Sequence, residues 1–291
     1  MRVLACYQIV PDLSTAYEND WTHIAASPAS GAFARVFDCF DEAALEMALT
    51  LRDEIAAAGE EAELCALTLA ATGDDRASVK LFALGFERLV RIDMDTGYLC
   101  TPEVKAAAIA RSIESIGVPD ILFFGIRSGI GGSGMTGPMI AERLGLPCVS
   151  NVCDVGRGAN GKLRVAILEG GKRTIGEIPV GAALLVGNSD RGLLRIPTLK
   201  AMRGAKGKNA EVVAPHGDDI PPGVAFSDDI APLVTLGNNA APLVTLGNNP
   251  VDVTRPPAAC MCRDIEGDIE EKARTVAEIL RNYVPKQMRE Q

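Results

Sequence analysis

Residues 125–138, GIRSGIGGSGMTGP, hold six glycines in fourteen positions and no acidic side chain. Bare backbone of this kind lets N–H groups approach a ligand with no Cβ in the way. The stretch leads into MIAERLG, a helical pattern, so its amides would join the unpaired donors at a helix amino end. The chemistry they offer is binding of an anion, a phosphate or a pyrophosphate. A strand–helix connection without a ligand is the alternative that glycine content by itself leaves open. The spacing matches neither the phosphate loop with its Lys-Ser/Thr nor the G-x-G-x-x-G placed after a first strand, which disfavours an ordinary ATPase or nicotinamide-cofactor protein.

The remaining reactive residue types are sparse. Cys260-Met261-Cys262 offers two thiolates where zinc and iron–sulfur sites need four, and reads as two ordinary thiols. His23 and His216 stand in loop-like segments outside any triad-like arrangement. The acidic clusters at 73–75, 217–219 and 227–229 are explained by helix capping and solvation more simply than by a divalent ion. No catalytic residue and no metal site is expected. The basic run LKAMRGAKGK (199–208) is either a solvated face or a contact for an acidic partner.

These residues need elements to position them, and strand and helix patterns alternate through the first half. RVLACYQIV (2–10) reads as the first strand, and DEAALEMALTLRDEIAAAG (41–59) as a helix with Asp41 as N-cap and Gly59 as stop. AELCALTL (62–69), a helix over 74–85, ERLVRI (87–92), a helix over 101–117 and DILFFG follow, before the glycine loop and a helix near 136–144. Nearly continuous apolar strands between helices of this length predict an α/β fold, a mostly parallel doubly wound sheet covered on both faces. Ligands of such sheets bind beyond the carboxyl ends of the strands, where the glycine loop lies. From about 148 onward, CVSNVCDV, KLRVAIL, RTIGEIPV and AALLVGN predict an antiparallel extension of the sheet.

Past 208 the chain reads as an extended, Pro/Gly/Asp-rich arm (209–291). APLVTLGNN at 231–239 recurs at 241–249, and two copies are too few for a solenoid. The arm closes with an amphipathic helix over 264–284, its stripe formed by Ile265, Ile269, Val276, Ile279 and Leu280, which must dock on its own domain or on a partner.

Composition bounds the function. The 291 residues are 47% apolar but only 4% aromatic, so the core must be built from Ala, Leu, Val and Ile. A net charge of −9 disfavours nucleic acid as a partner. The first apolar run is too short to span a bilayer. Eight scattered cysteines, several inside apolar runs, look like buried free thiols and predict a reducing, cytoplasmic setting.

The order of these pieces resembles the small (β) subunit of electron-transfer flavoproteins over most of residues 1–208. The resemblance is carried by CYQIVPD, FDEAALEMALTLRDE, LFALGFERLVRI, DILFFGIRSGIGGSGMTGPMIAERLGLP, LEGGKRTIGEIP and RIPTLKAMRGAKGK. It implies an electron carrier rather than an enzyme. The β-subunit would pair with a larger α-subunit, the heterodimer would hold FAD, and the β-subunit itself would bury AMP or a second FAD. Electrons would pass from a partner dehydrogenase to an acceptor, with bifurcation left open by the same choice of nucleotide. Carried over by position, the resemblance puts the nucleotide against Cys6, against Asp38, Cys39, Phe40 and Asp41, against Leu69, and along Gly125–Thr136. Within that loop Arg127, Gly131, Gly132, Ser133, Gly134, Met135 and Thr136 are the contacts expected, and Leu199 matches an apolar anchor that docks on dehydrogenases.

The departures are specific. The family's Asn-Pro-Phe-Asp/Cys-Glu is DCFDE here, its Asp-Gly-Asp-Thr-Gly-Gln is IGGSGM (130–135), its Lys after the first strand is Gln8, and its Asn-Glu-Pro-Arg-Tyr is GLLRI (192–196). Loss of two loop carboxylates favours a more anionic ligand such as a pyrophosphate, whereas loss of side-chain donors would suit a degenerate site. Retained binding is the expectation, because main-chain amides supply the contacts. The competing readings are an adenylate-binding hydrolase or transferase on the same fold, and a nucleotide-free scaffold subunit.

Overall fold

The computed structural model describes residues 1–12, 14, 34–70, 75–93, 102–128, 134–189, 191–214, 245–246 and 249–250. The chain divides into two units, Met1–Val234 and Thr235–Gln291. In the first unit β1 (Arg2–Tyr7), β2 (Ile9–Pro11) and β3 (Arg35–Phe37) precede α1 (Cys39–Ala57), β4 (Glu63–Ala70), α2 (Asp75–Leu84) and β5 (Arg88–Asp93). Then come α3 (Pro102–Ile116), β6 (Ile121–Gly125), α4 (Thr136–Arg143), β7 (Cys148–Arg157), β8 (Leu163–Glu169), β9 (Lys172–Ile178), β10 (Ala182–Val186), α5 (Leu199–Ala205) and β11 (Glu211–Val213). In the second unit Thr245–Leu246 pairs antiparallel with Asn249–Pro250. The first copy of the repeat, Cys260, Cys262, His23, His216 and the helix expected over 264–284 lie outside the described residues.

The main sheet has nine strands in the order β11-β5-β4-β1-β6-β10-β7-β8-β9. The pairings from β11 across to β7 are all parallel, and β8 and β9 extend the edge antiparallel. The α/β class and the antiparallel extension are therefore present, with one difference in detail. β7 and β10 run parallel with the core, and only β8 and β9 reverse. β10 enters between β6 and β7 because its five residues are all buried and can serve a position covered on both faces.

Side-chain alternation builds the two layers. Val3, Ala5 and Tyr7 of β1 join Ala66, Phe123 and Leu184 in a core shared with α1 and α2. Leu4 and Cys6 join Leu67, Leu122 and Leu185 in a core shared with α3 and α4. Small residues let α1 lie close to the sheet: Ala43, Ala44 and Ala48 are buried along with Leu45, Leu49 and Ile55. The helix ends at Ala57, with Ala58 as its C-cap and Gly59 at φ +79° supplying the left-handed residue that stops it.

Two boundaries differ from the sequence expectation. The first strand breaks at Gln8, and the chain continues into a separate β2–β3 ribbon. Helix α1 starts at Cys39, so Asp38 rather than Asp41 occupies the N-cap position. Asp41 lies inside the first turn because its carboxylate is engaged elsewhere, as described next.

Candidate nucleotide site at the strand-order reversal

The chain leaves β1 for β4 and β5 on one side and returns to β6 on the other. The carboxyl ends of β1 and β6 therefore bound the crevice where the strand order reverses, the position at which open α/β sheets bind ligands. Cys6 and Tyr7 end β1, Gly125 ends β6, and the first turns of α1 and α4 follow β3 and the loop after β6.

Asp41 ties this edge together. Its Oδ2 accepts from the Gln8 N–H at 2.8 Å and its Oδ1 from the Gly125 N–H at 3.0 Å, joining the ends of β1 and β6 to α1. The contact is close enough to exclude any side chain on Gly125, where a Cβ would stand 2.5 Å from Asp41 Oδ1 and 2.9 Å from both the Asp41 amide and Phe40 Cβ. The glycine that ends DILFFG is thus demanded by a close approach, not by its φ.

Asp38 is the second carboxylate, and only 1% of it is exposed. Its Oδ2 accepts from the Ser128 hydroxyl at 2.5 Å and its Oδ1 from the Cys39 thiol at 3.7 Å, while its own N–H donates to the Gln8 carbonyl at 3.0 Å. It makes no side-chain cap to the first-turn amides of α1. Desolvation first, and the Asp38 charge second, push the Asp41 carboxyl up to about 7, against its hydrogen bonds and the charge of Lys105 on α3. Desolvation followed by the Asp41 charge raises the Cys6 thiol, and desolvation followed by the Asp38 charge raises that of Cys39. Neither cysteine is poised as a thiolate nucleophile.

The loop's far end returns to the same edge. Gly134 sits at φ +70° with room for little else, since a Cβ there would lie 3.2 Å from the Ile126 carbonyl. Arg127 lies over the Phe40 ring at 5.7 Å from its centroid, bridging the loop's start to the first turn of α1. Helix α4 begins at Thr136, with Met135 in the N-cap position, no side-chain cap and no acidic residue in its first turn. A Cβ on Gly137 would meet Leu185 Cδ2 at 2.6 Å, so α4 packs tightly against β10. The two helices consequently present chemically different amino ends. That of α4 has uncapped donors and suits an anion. That of α1 carries Asp38 and Asp41 and suits hydroxyl or amino donors of a ligand.

The residues singled out from the sequence fall into three groups. Asp38, Cys39, Phe40, Asp41, Gly125, Arg127, Gly134, Met135 and Thr136 lie at or beside this carboxyl edge. Cys6 and Leu69 end their strands there, but their side chains turn into the α3–α4 layer, Leu69 against Val104 and Ala108. Gly131, Gly132 and Ser133 lie outside the described residues. Leu199 is remote from the edge in sequence and opens α5, 68% exposed, after Thr198, whose Oγ1 accepts from the Ala201 N–H at 3.2 Å. Sequence reasoning missed Lys105 and the role of the Gln8 main chain. A lysine in the otherwise apolar VKAAAIA was the available signal for the first; nothing in the residue types signals the second.

Among the described residues no helix is long and apolar enough to cross a membrane. Cys6, Cys39, Cys65, Cys148 and Cys153 are free thiols.

Comparison with known proteins agrees with this geometry. The electron transfer flavoprotein domain family matches residues 34–215. The chain is 27% identical to the electron transfer flavoprotein subunit beta of Megasphaera elsdenii over 243 residues, covering 78% of this chain and 84% of that one. It is 29% identical to protein FixA of Azorhizobium caulinodans over 150 residues, half of each chain. It is 28% identical to the putative electron transfer flavoprotein subunit YgcR of Escherichia coli over 158 residues, 52% of this chain and 58% of YgcR. The chain thus spans about half the length of two of these relatives and most of the third. With the matched domain covering more than half of the sequence, and β6, α1 and α4 of the crevice lying within it, the chain belongs to the electron transfer flavoprotein family as a member of the β-subunit type.

Proposed function

We propose that the chain is the β-subunit of a heterodimeric electron transfer flavoprotein, which with an α-subunit holds FAD, buries an adenine nucleotide of its own, and passes electrons from a dehydrogenase to an acceptor in the cytoplasm. The observation that supports the nucleotide is the closed carboxyl edge of β1 and β6, where Gly125 admits no Cβ and the amino end of α4 is uncapped. The groups present fit an adenine nucleotide. The α4 amides and Arg127 would hold its phosphates, and Asp38, standing where the family has Asn, would accept from a ribose hydroxyl or the adenine amino group. A flavin supplies reversible electron transfer when bound, and the chain's residues bind, orient and shield it.

The carboxylates support this reading over an adenylate-transferring enzyme. Both oxygens of Asp41 are held by main-chain amides, so its role is to fasten the edge. Leu199, exposed at the start of α5, is the proposed docking anchor for the dehydrogenase.

The decisive experiment co-expresses the chain with an electron transfer flavoprotein α-subunit, records the absorbance spectrum, and chromatographs the supernatant after denaturation. A yellow complex with FAD plus AMP, or with two FAD per heterodimer, is expected. A colourless, nucleotide-free pair would overturn the proposal.

A further inference from the structure

Thr68 and Arg91 have no role in the nucleotide site as proposed, although Thr68 precedes Leu69 on β4. They are register partners on the adjacent parallel strands β4 and β5, and Tyr7 on β1 completes their row. Residues paired in this way point to the same side of the sheet, with neighbouring strands about 4.8 Å apart. Their side is the α1–α2 layer, since Leu64 and Ala66 alternate with Thr68 on β4, Leu89 alternates with Arg91 on β5, and all three pack in that core.

Thr68 is 7% exposed, and its Oγ1 has no hydrogen-bond partner among the described residues. Arg91 Nε is likewise buried and without a partner among them. A buried hydroxyl left unsatisfied carries the full cost of its desolvation, and a guanidinium N–H more. Two such groups on adjacent strands, one a cation and one a hydroxyl donor, define a complementary ligand with negative charge and more than one acceptor oxygen. Helix α2 points the same way. It starts at Asp75, shortly after β4 ends at Ala70, and Leu81 and Phe82 hold it on the same face, so its amino end approaches this carboxyl edge. The described charged groups on the elements of this face include Arg76 and Lys80 of α2, Glu42 of α1, and Asp93, exposed two residues along β5; Lys80 and Glu42 pair with each other at 3.8 Å.

We propose that Thr68 and Arg91 hold an oxoanion of the phosphate or sulfate class at the carboxyl edge of β4 and β5, beneath the amino end of α2. This site does not rest on the electron-transfer reading, because its two buried donors lack partners among the described residues whatever the crevice between β1 and β6 holds. The oxoanion is either a free ion or the phosphate of a small metabolite, and the two sources share the same donors.

The test titrates inorganic phosphate into the full chain in phosphate-free buffer at constant ionic strength, following thermal denaturation and calorimetric heat. Wild type is expected to show a saturable rise in Tm. Arg91→Met should abolish it, and Thr68→Val should weaken binding about tenfold, the scale of one hydrogen bond to a charged group. Both variants should be at least as stable as wild type without phosphate, since each removes an unsatisfied buried atom. A second titration with AMP present separates this site from the nucleotide site. Persistence of phosphate binding with AMP present upholds a separate oxoanion site, whereas displacement of phosphate by AMP would make these donors part of the nucleotide site and overturn it. The proposal is overturned if wild type shows no saturable shift or if Arg91→Met keeps it. It is equally overturned if Arg91→Met is destabilised in phosphate-free buffer, which would mean that an acid of this chain already pairs with the guanidinium.

Discussion

The crevice between β1 and β6 and the segment from Leu193 to Leu199 are built on opposite plans. In the crevice the groups on offer are mainly main chain, and the side chains that matter are those that fasten it: Asp41 to Gln8 and Gly125, and Asp38 to Ser128. In the 193–199 segment the side chains are displayed. Leu193, Ile196 and Leu199 are 79%, 90% and 68% exposed, while Leu194 between them is buried. What holds that display is Arg195. Its N–H and Nε donate to Glu46 at 2.8–3.1 Å, and its Nη1 donates to Asp53 at 2.5 Å. These bonds raise its already high pKa further, the Glu46 bonds first among the causes. A site made of backbone tolerates changes of side-chain identity but not an added Cβ. A surface made of displayed side chains is defined by those side chains, yet contributes little to folding.

This contrast can be broken or sharpened by four measurements, ordered by expected effect. Gly125→Val puts side-chain atoms where Asp41 and Phe40 already stand, and should cost about 3 kcal/mol by urea denaturation as well as any bound nucleotide. Preserved stability would show that the edge can open. Arg195→Ala strands the buried Glu46 carboxylate and should cost about 2 kcal/mol, discounted because the arginine is itself half-exposed. Arg195→Lys should recover only part of this, since an ammonium cannot match the fork.

The third concerns pH. The folded Asp41 carboxyl is raised to about 7 from 3.8, so the native state holds a proton that the unfolded chain has released. Stability from this group is greatest at the acidic end, falls as pH rises from about 4 to about 7, and is flat beyond. Between about pH 5.5 and pH 8 the loss should be about 1–2 kcal/mol, and Asp41→Asn should flatten that slope. A slope unchanged by the substitution would assign the titration to another group. Last, Leu199→Ala should alter stability by no more than about 0.5 kcal/mol while weakening electron transfer from the partner dehydrogenase. Unchanged transfer would remove Leu199 from the docking surface.

The sequence carried the sheet well where apolar runs were long. DILFFG and AELCALTL appear as β6 and β4 within a residue of where periodicity put them. It carried less where several roles fit one residue type. Asp41 has the chemistry of an N-cap, and only the arrival of the Gln8 and Gly125 amides decides that it ties strands instead. Likewise, AALLV reads as a strand, but its direction and its place between β6 and β7 depend on a crossover that local pattern does not encode.

Local sequence by itself determined the alternation of helix and strand, the glycine-rich connection after β6 and the family to which the chain belongs, because these follow from periodicity, backbone freedom and the order of motifs. Only the tertiary structure decided which carboxylates share a site, which glycine is sterically obligatory and which buried donors lack a partner. Those properties arise where distant segments meet, Gly125 with Asp41 and Thr68 with Arg91, and desolvation acts on a group only once the remaining elements have closed around it.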